Sequence, residues 1–278
     1  MCWETAYEQW LNAPALSQQE QEELRAIQKD KMELRERFCA PLAFGTAGLR
    51  GTMKVGLHHM NVHVVRWVTQ GFAEVICAES DWAGDRKAAV CMDGRKNSRR
   101  FAEAAAEVLA ANGITVYLFD GPRPTPELSF AVRAYGCLAG INITASHNPK
   151  EYNGYKAYWC DGAQLQTETA MAVSARLEEI DVFAGPKRMD LQRGIELGRI
   201  CLLGRSCDEA YLKAVEELST DWEDNNAYWR ALESPVEEAA AQTFDTFLKS
   251  NGQDLGIQSY GACVDLLVTW FGDEAGAF

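Results

Sequence analysis

The apolar residues of this chain change period along its length. Val64, Val65, Val68, Phe72, Val75 and Ile76 recur three and four apart, the spacing of one helix face. Asn61 stands ahead of them as a cap. The unbroken run Ala88 to Met92 follows, which suits a strand buried on both faces. A polar loop, Asp93 to Ser98, leads to a second amphipathic stretch carrying Phe101, Ala105, Val108 and Leu109, and Gly113 marks its stop. Ile114 to Phe119 reads as a strand and Pro122, Pro124 and Pro126 as a stiff loop. Glu127 to Tyr135 reads as a short helix and Leu138 to Ile143 as another strand. Strand and helix alternate, which predicts an α/β fold: three layers, α/β/α, around a mostly parallel mixed sheet.

The flanks are read in the same way. Ser17-Gln18-Gln19-Glu20 has the form of a capping box. The charged run Glu20 to Arg37 follows as a helix, with Leu24, Ile27 and Leu34 on its apolar side and its charges expected on a solvated face. Beyond Ile143, Tyr155 to Trp159 reads as a strand with a turn at Asp161-Gly162, and Thr167 as the cap of a helix reaching about Ile180. Gly185 to Gly204 is expected as strands and turns, and a helix starts at Asp208 and runs through Leu218. The tail, Ser219 to Phe278, is acidic and carries tryptophan. It has a helix start at Ser234-Pro235, with Phe244, Phe247 and Leu248 on the apolar side, and an apolar stretch from Gly261 to Phe271.

Composition narrows the picture. A chain of 278 residues that is 47% hydrophobic can bury a sizeable core. A formal charge of −13 argues against a nucleic-acid partner. Yet Arg50, Arg95, Lys96, Arg99, Arg100 and Lys156 all lie in or beside candidate loops, as an anion pocket would require. The nine cysteines show no two-residue gap of a zinc or redox motif, and some sit inside apolar runs, so free thiols in a reducing cytoplasm are expected. No apolar stretch has membrane-spanning length and the first residues carry no leader pattern, so no membrane partner is expected. His59 and His63 would share a helical face as metal ligands, but Met60-Asn61 between them reads as a helix start. Asn142-Ile143-Thr144 matches a glycosylation sequon but falls in an expected buried strand.

The chemistry concentrates in Thr144-Ala145-Ser146-His147-Asn148-Pro149-Lys150-Glu151. The expected strand ending at Ile143 delivers a serine to an exposed turn at the carboxyl edge of the sheet, where such folds place their ligands. With Phe44-Gly45-Thr46-Ala47-Gly48-Leu49-Arg50-Gly51, Asp93-Gly94-Arg95-Lys96-Asn97-Ser98, Pro124-Thr125-Pro126 and Asn153-Gly154-Tyr155-Lys156, it forms an ordered set of motifs. The set resembles the phosphoserine domain of the α-D-phosphohexomutases, the phosphoglucomutase/phosphomannomutase superfamily. The resemblance runs from about Leu42 to Leu218, and Leu42 to Gly51 is more like the phosphoglucomutase/phosphopentomutase branch. No Gly-x-Ser-x-Gly elbow is present, which argues against a serine hydrolase.

The resemblance implies reversible phosphoryl transfer on a hexose phosphate, glucose 1-phosphate to glucose 6-phosphate, in cytoplasmic carbohydrate metabolism. Ser146 would be the nucleophile and phosphate carrier. His147 would position the phosphate, assist proton movement or simply orient the loop. Arg50 would approach the phosphoserine or the sugar, or fix the loop. Lys156 would serve as acid/base or phosphate contact. Thr46 belongs to the phosphate-binding set, Thr144 and Asn148 shape the turn, and Asp93 and Arg95 brace the loops. Mg2+ is implied as cofactor, with the Ser146 phosphate as one ligand, and glucose 1,6-bisphosphate as activator.

The family's aspartate-rich metal loop, paired-glutamate sugar loop and phosphate cradle are absent from this sequence. The expected organisation is a helical extension at 1–40, a phosphoserine domain at 41–204 and a divergent remnant of a second domain at 205–278. Two alternatives follow from the missing loops: a truncated, catalytically incompetent chain, or a noncatalytic sugar-phosphate-binding member of the family. Neither the sugar nor the oligomeric state is fixed by these residues.

Overall fold

The computed structural model describes residues 2–217. The helix start at Ser234 and the apolar stretch Gly261 to Phe271 lie outside them. The chain divides into two units, Met1–Asp208 and Glu209–Phe278, the second described only as far as Glu217.

The first unit is built on six strands: β1 (Leu49–Thr52), β2 (Lys87–Met92), β3 (Thr115–Phe119), β4 (Ala139–Ile143), β5 (Tyr152–Trp159) and β6 (Ile200–Leu203). They lie in the order β1-β5-β4-β2-β3-β6. β4, β2, β3 and β6 run parallel, whereas β5 is antiparallel to β4 and β1 antiparallel to β5. The helices of the described residues are α1 (Trp3–Leu11), α2 (Gln18–Ala26), α3 (Lys31–Phe38), α4 (Val62–Ala78), α5 (Ser98–Ala111), α6 (Thr125–Ala134), α7 (Thr167–Glu179), α8 (Leu191–Glu196) and α9 (Arg205–Glu217). α4, α5 and α7 pack together over one face of the sheet, and α6 covers β2 and β4 on the other. This is the three-layer, mostly parallel mixed sheet that the alternation predicts.

The patterns account for the layers. Ala88, Val90 and Met92 of β2 join the core under α4 and α5, while Ala89 and Cys91 join the smaller core under α6. A central strand buried on both faces has no position for a polar side chain, so its sequence is continuously apolar. Burial pushes the Cys91 thiol up to about 12, and it packs as a small hydrophobe. Val64, Val65, Val68, Phe72 and Ile76 of α4 are fully buried; each such side chain contributes roughly 1.5–3 kcal/mol over exposure. Asn61 caps α4 as expected, its Oδ1 accepting from the Val64 amide at 3.0 Å.

Several expectations need correction. The run Glu20 to Arg37 is two helices, α2 and α3, because Asp30 starts a new one by accepting the Met32 and Glu33 amides, each at 3.1 Å. Most of its charges are exposed as expected, but Glu20, Glu23, Glu33 and Arg37 turn inward. Arg37 is buried and donates to Glu23 at 2.5 Å, Glu33 at 3.0 Å and the Val55 carbonyl at 2.9 Å. Lys54 reaches Glu33 at 2.9 Å. These bonds dock the amino-terminal helices on the rest of the unit. Trp10 of α1, a helix with no clear periodic signal, is buried edge-on against Phe38, His63 and Phe183. The 185–204 segment holds α8 as well as the single strand β6. Thr167 begins α7 without a side-chain capping bond, and Gln166 occupies the cap position. The glycine-rich segment is a turn only from Gly45 to Gly48 and then becomes β1.

The expected capping box is present: the Glu20 amide donates to Ser17 Oγ at 3.3 Å and the Ser17 amide to Glu20 Oε2 at 2.8 Å. Glu20 Oε1 also lies 3.2 Å from His63 Nε2 on α4. Burial alone would raise the Glu20 carboxyl; the bonds from His63 and Ser17 outweigh it and hold it down at about 2. A depressed carboxyl stabilises the fold above its unfolded value, near pH 4.5, and that contribution disappears as pH falls through about 2. It amounts to at most about 3 kcal/mol. Glu20→Gln should therefore flatten the acid limb of a stability-versus-pH curve measured by urea unfolding between pH 5 and pH 2. An unchanged acid limb would contradict this.

Candidate functional site

Ser146 lies just past the carboxyl end of β4, exposed, with φ of +58°. Left-handed backbone is uncommon for serine and costs about 1–2 kcal/mol. Thr144 helps hold it: its Oγ1 accepts from the Ser146 amide at 2.9 Å. The Asn148 amide closes the turn on the Ala145 carbonyl at 3.2 Å. The Ser146 hydroxyl therefore stands outward, with His147 Nδ1 at 3.5 Å.

β5 gathers the neighbouring side chains. Arg50 on β1 is opposite Gly154, and Lys156 is opposite Asn142 on β4. Side chains two apart on a strand, and their cross-strand partners, share a face. Arg50 and Lys156 thus lie on the same face as Asn142, whose amide donates to Thr125 Oγ1 at the start of α6 at 2.8 Å. Arg50 Nη1 donates to Asn148 Oδ1 at 2.7 Å, joining β1 to the serine loop. Lys156 is half-buried and makes no hydrogen bond or ion pair among the described residues. Gly154 is where β5 passes under the loop: a Cβ there would stand 2.6 Å from the Thr144 carbonyl oxygen and 3.1 Å from that of Leu49. Only glycine permits this approach.

Thr46 is at the exposed tip of the Gly45–Gly48 turn. That turn sits over Tyr155 and Lys156 of β5, but Thr46 itself makes no hydrogen bond to the serine loop among the described residues. Ser146, His147, Asn148, Thr144 and Arg50 are thus joined directly, Lys156 shares their sheet face, and Thr46 stands apart.

Asp93 and Arg95, after β2, form an ion pair at 3.2 Å. Asn153 carries no role in the sequence reading beyond its motif. It is fully buried, and its amide donates to Ser98 Oγ at 3.0 Å and to the Lys96 carbonyl at 3.2 Å. Ser98 in turn donates to Asp93 at 2.7 Å. An asparagine next to glycine near the start of β5 was the available signal.

The histidines point elsewhere. His58 Nδ1 faces the Ala40 carbonyl at 3.1 Å, His59 Nδ1 faces Thr52 Oγ1 at 2.9 Å, and His63 pairs with Glu20. Burial, then Arg37 and Lys54, push His59 down to about 4. Magnesium takes several oxygen ligands. Among the described residues no group of three or more His, Cys, Asp or Glu side chains converges, and imidazole, amide and guanidinium groups surround Ser146. These residues do not fit a magnesium site by themselves. No described helix is long and apolar enough to cross a membrane.

Comparison with known proteins identifies the family of the segment that carries this loop. The family model for phosphoglucomutase/phosphomannomutase, alpha/beta/alpha domain I, matches residues 41–183. A second model, for a protein of unknown function (DUF3810), matches residues 205–268. A phosphoglucomutase of Staphylococcus saprophyticus is 40% identical over 181 residues, covering 65% of this chain and 32% of that protein. One from Staphylococcus aureus is 44% identical over 153 residues, covering 55% and 27%. The chain thus spans about a third of the length of the curated relatives it matches. Among solved structures, a putative phosphomannomutase from Thermus thermophilus is 33% identical with a TM-score of 0.46, covering 55% of this chain and 34% of that one. A match over more than half its length, on the segment that carries the serine loop, places the chain in the phosphoglucomutase/phosphomannomutase family through that family's domain I.

Proposed function

We propose that this chain carries the phosphoserine part of a phosphohexomutase site, with Ser146 accepting and returning a phosphoryl group. The observation that carries the reading is the outward, left-handed Ser146 hydroxyl at the edge of the sheet, with Arg50 bonded into the same loop. In the forward half-reaction the Ser146 Oγ–P bond breaks, Oγ keeping the electron pair and taking a proton, and the phosphorus bonds to the free hydroxyl oxygen of a hexose monophosphate, which gives one up. In the second, the other ester oxygen of the bisphosphate keeps the bonding electrons and takes a proton, and the phosphorus bonds to Ser146 Oγ, which gives up its proton. Such transfer depends on in-line placement and on neutralising equatorial charge. Arg50 and Lys156 supply positive charge on one sheet face, and His147 is within reach of the hydroxyl proton. Thr144 and Asn148 hold the turn.

Glucose 1-phosphate and glucose 6-phosphate are the proposed pair, glucose 1,6-bisphosphate the activator, magnesium the metal, and the cytoplasm the compartment. The 1–40, 41–204 and 205–278 organisation belongs to the same proposal. A second reading, a catalytically incompetent or noncatalytic sugar-phosphate-binding chain, is favoured by one observation: the described residues offer no carboxylate cluster beside Ser146.

Turnover of glucose 1-phosphate with magnesium and catalytic glucose 1,6-bisphosphate separates the readings. Turnover proportional to chain concentration supports the mutase. Absence of turnover at every concentration, with heat released on titrating glucose 6-phosphate, supports the binding reading.

A further inference from the structure

One guanidinium lies beneath the serine loop and takes up three of its carbonyls and that of Tyr152 at the start of β5. Arg95 Nη2 donates to the carbonyls of Ser146 at 2.6 Å and Asn148 at 2.7 Å, and Nη1 to those of Pro149 at 2.8 Å and Tyr152 at 3.2 Å. Its Nε faces Asp93 at 3.2 Å. Asp93 is itself fixed by Ser98 Oγ at 2.7 Å and by the Arg95 amide at 3.0 Å, and the buried Asn153 holds Ser98. Arg95 is thus oriented from the core outward.

The peptide bonds of the described residues are all trans. In a trans peptide the N–H points opposite to the C=O it is bonded to. With the Ser146 and Pro149 carbonyls turned toward Arg95, the amides of His147 and Lys150 turn away from it. Neither amide has an intramolecular acceptor among the described residues. Backbone amides that a turn leaves free are available to bind an anion. The His147 amide is the one next to the residue that would bear the phosphate.

We propose that Arg95 is the positioning residue of the phosphoserine. It clamps the loop carbonyls below so that the His147 and Lys150 amides form a main-chain nest for the Ser146 phosphate, and it neutralises four carbonyl dipoles that would otherwise repel that phosphate. The proposal rests on Ser146 as phosphate carrier. Lysine cannot replace Arg95, because an ammonium is a point donor and cannot span the fork of carbonyls.

The test uses the full chain with phosphoserine placed at position 146 during translation, so it does not depend on turnover. Phosphorus NMR titration should put the second ionisation of the wild-type phosphoserine clearly below its ordinary value of about 6. Arg95→Ala and Arg95→Lys should raise that midpoint by about half a unit or more. Hydrogen exchange of the unphosphorylated chain should speed about tenfold or more at the bonded loop amides of Asn148 and Tyr152 in both variants. A wild-type midpoint at or above the ordinary value overturns the nest, and this requires no variant to fold. Faster exchange with an unmoved midpoint also overturns it, leaving Arg95 a loop brace only. A normal nest whose phosphoryl group does not transfer to glucose 6-phosphate would instead count against the mutase reading alone.

Discussion

Ser146→Ala is expected to abolish phosphoryl acceptance while leaving the fold intact. If the hydroxyl is the acceptor, its removal leaves no route for the first bond to form, so transfer should fall by at least about 10³-fold. The structural cost should be small. The Ser146 side chain has one polar neighbour, His147 at 3.5 Å, and is exposed. The strained φ of +58° is present with either residue. A change below about 1 kcal/mol follows, a shift of no more than about 4 °C in thermal midpoint for a unit of this size. Phosphate incorporation by mass spectrometry and melting by circular dichroism give both numbers. Retained incorporation in the variant would remove Ser146 from its role.

The largest stability effect should come from Gly48→Ala. Gly48 has φ of +76°, and a Cβ there would stand 1.8 Å from the Tyr155 carbonyl oxygen, 2.9 Å from its carbonyl carbon and 3.0 Å from Lys156 Cα. All three are backbone atoms of β5, so relief requires opening the β1–β5 pairing. Left-handed backbone adds about 1–2 kcal/mol. Together the penalty should reach about 3 kcal/mol or more, lowering the thermal midpoint by roughly 6–12 °C. Gly113→Ala is the internal comparison: φ is +82° but the space around it is open. It should cost only the backbone term, about 1–2 kcal/mol. Equal shifts for the two variants would contradict the clash. Because Arg50 follows two residues on, Gly48→Ala should also loosen the Arg50–Asn148 bond.

Elements with a single dominant signal were legible in the sequence. The doubly buried β2, the amphipathic α4 with its Asn61 cap and the Ser17–Glu20 box each depend on local chemistry, and each stands where its residues put it. What was not legible depends on distant partners. The charges of α2 and α3 satisfy an ordinary solvated-helix pattern, and only the positions of Val55, Lys54 and His63 turn four of them, Glu20, Glu23, Glu33 and Arg37, into a docking surface. β1 is short and glycine-bearing, so its strand character comes from pairing with β5. The serine loop was visible because small, polar and proline residues converge after a strand. Arg95 was visible as a brace, but its four carbonyl partners lie 51 to 57 residues away in sequence. A main-chain acceptor leaves no mark on side-chain identity, so no motif could announce it.

Peptide mapping of the chain after exposure to glucose 1,6-bisphosphate bears most directly on whether Ser146 carries the phosphate. One phosphate is expected, on the peptide containing Ser146 and lost on adding excess glucose 6-phosphate. A phosphate that maps to another residue, or none on this peptide with the loop folded, would contradict the account.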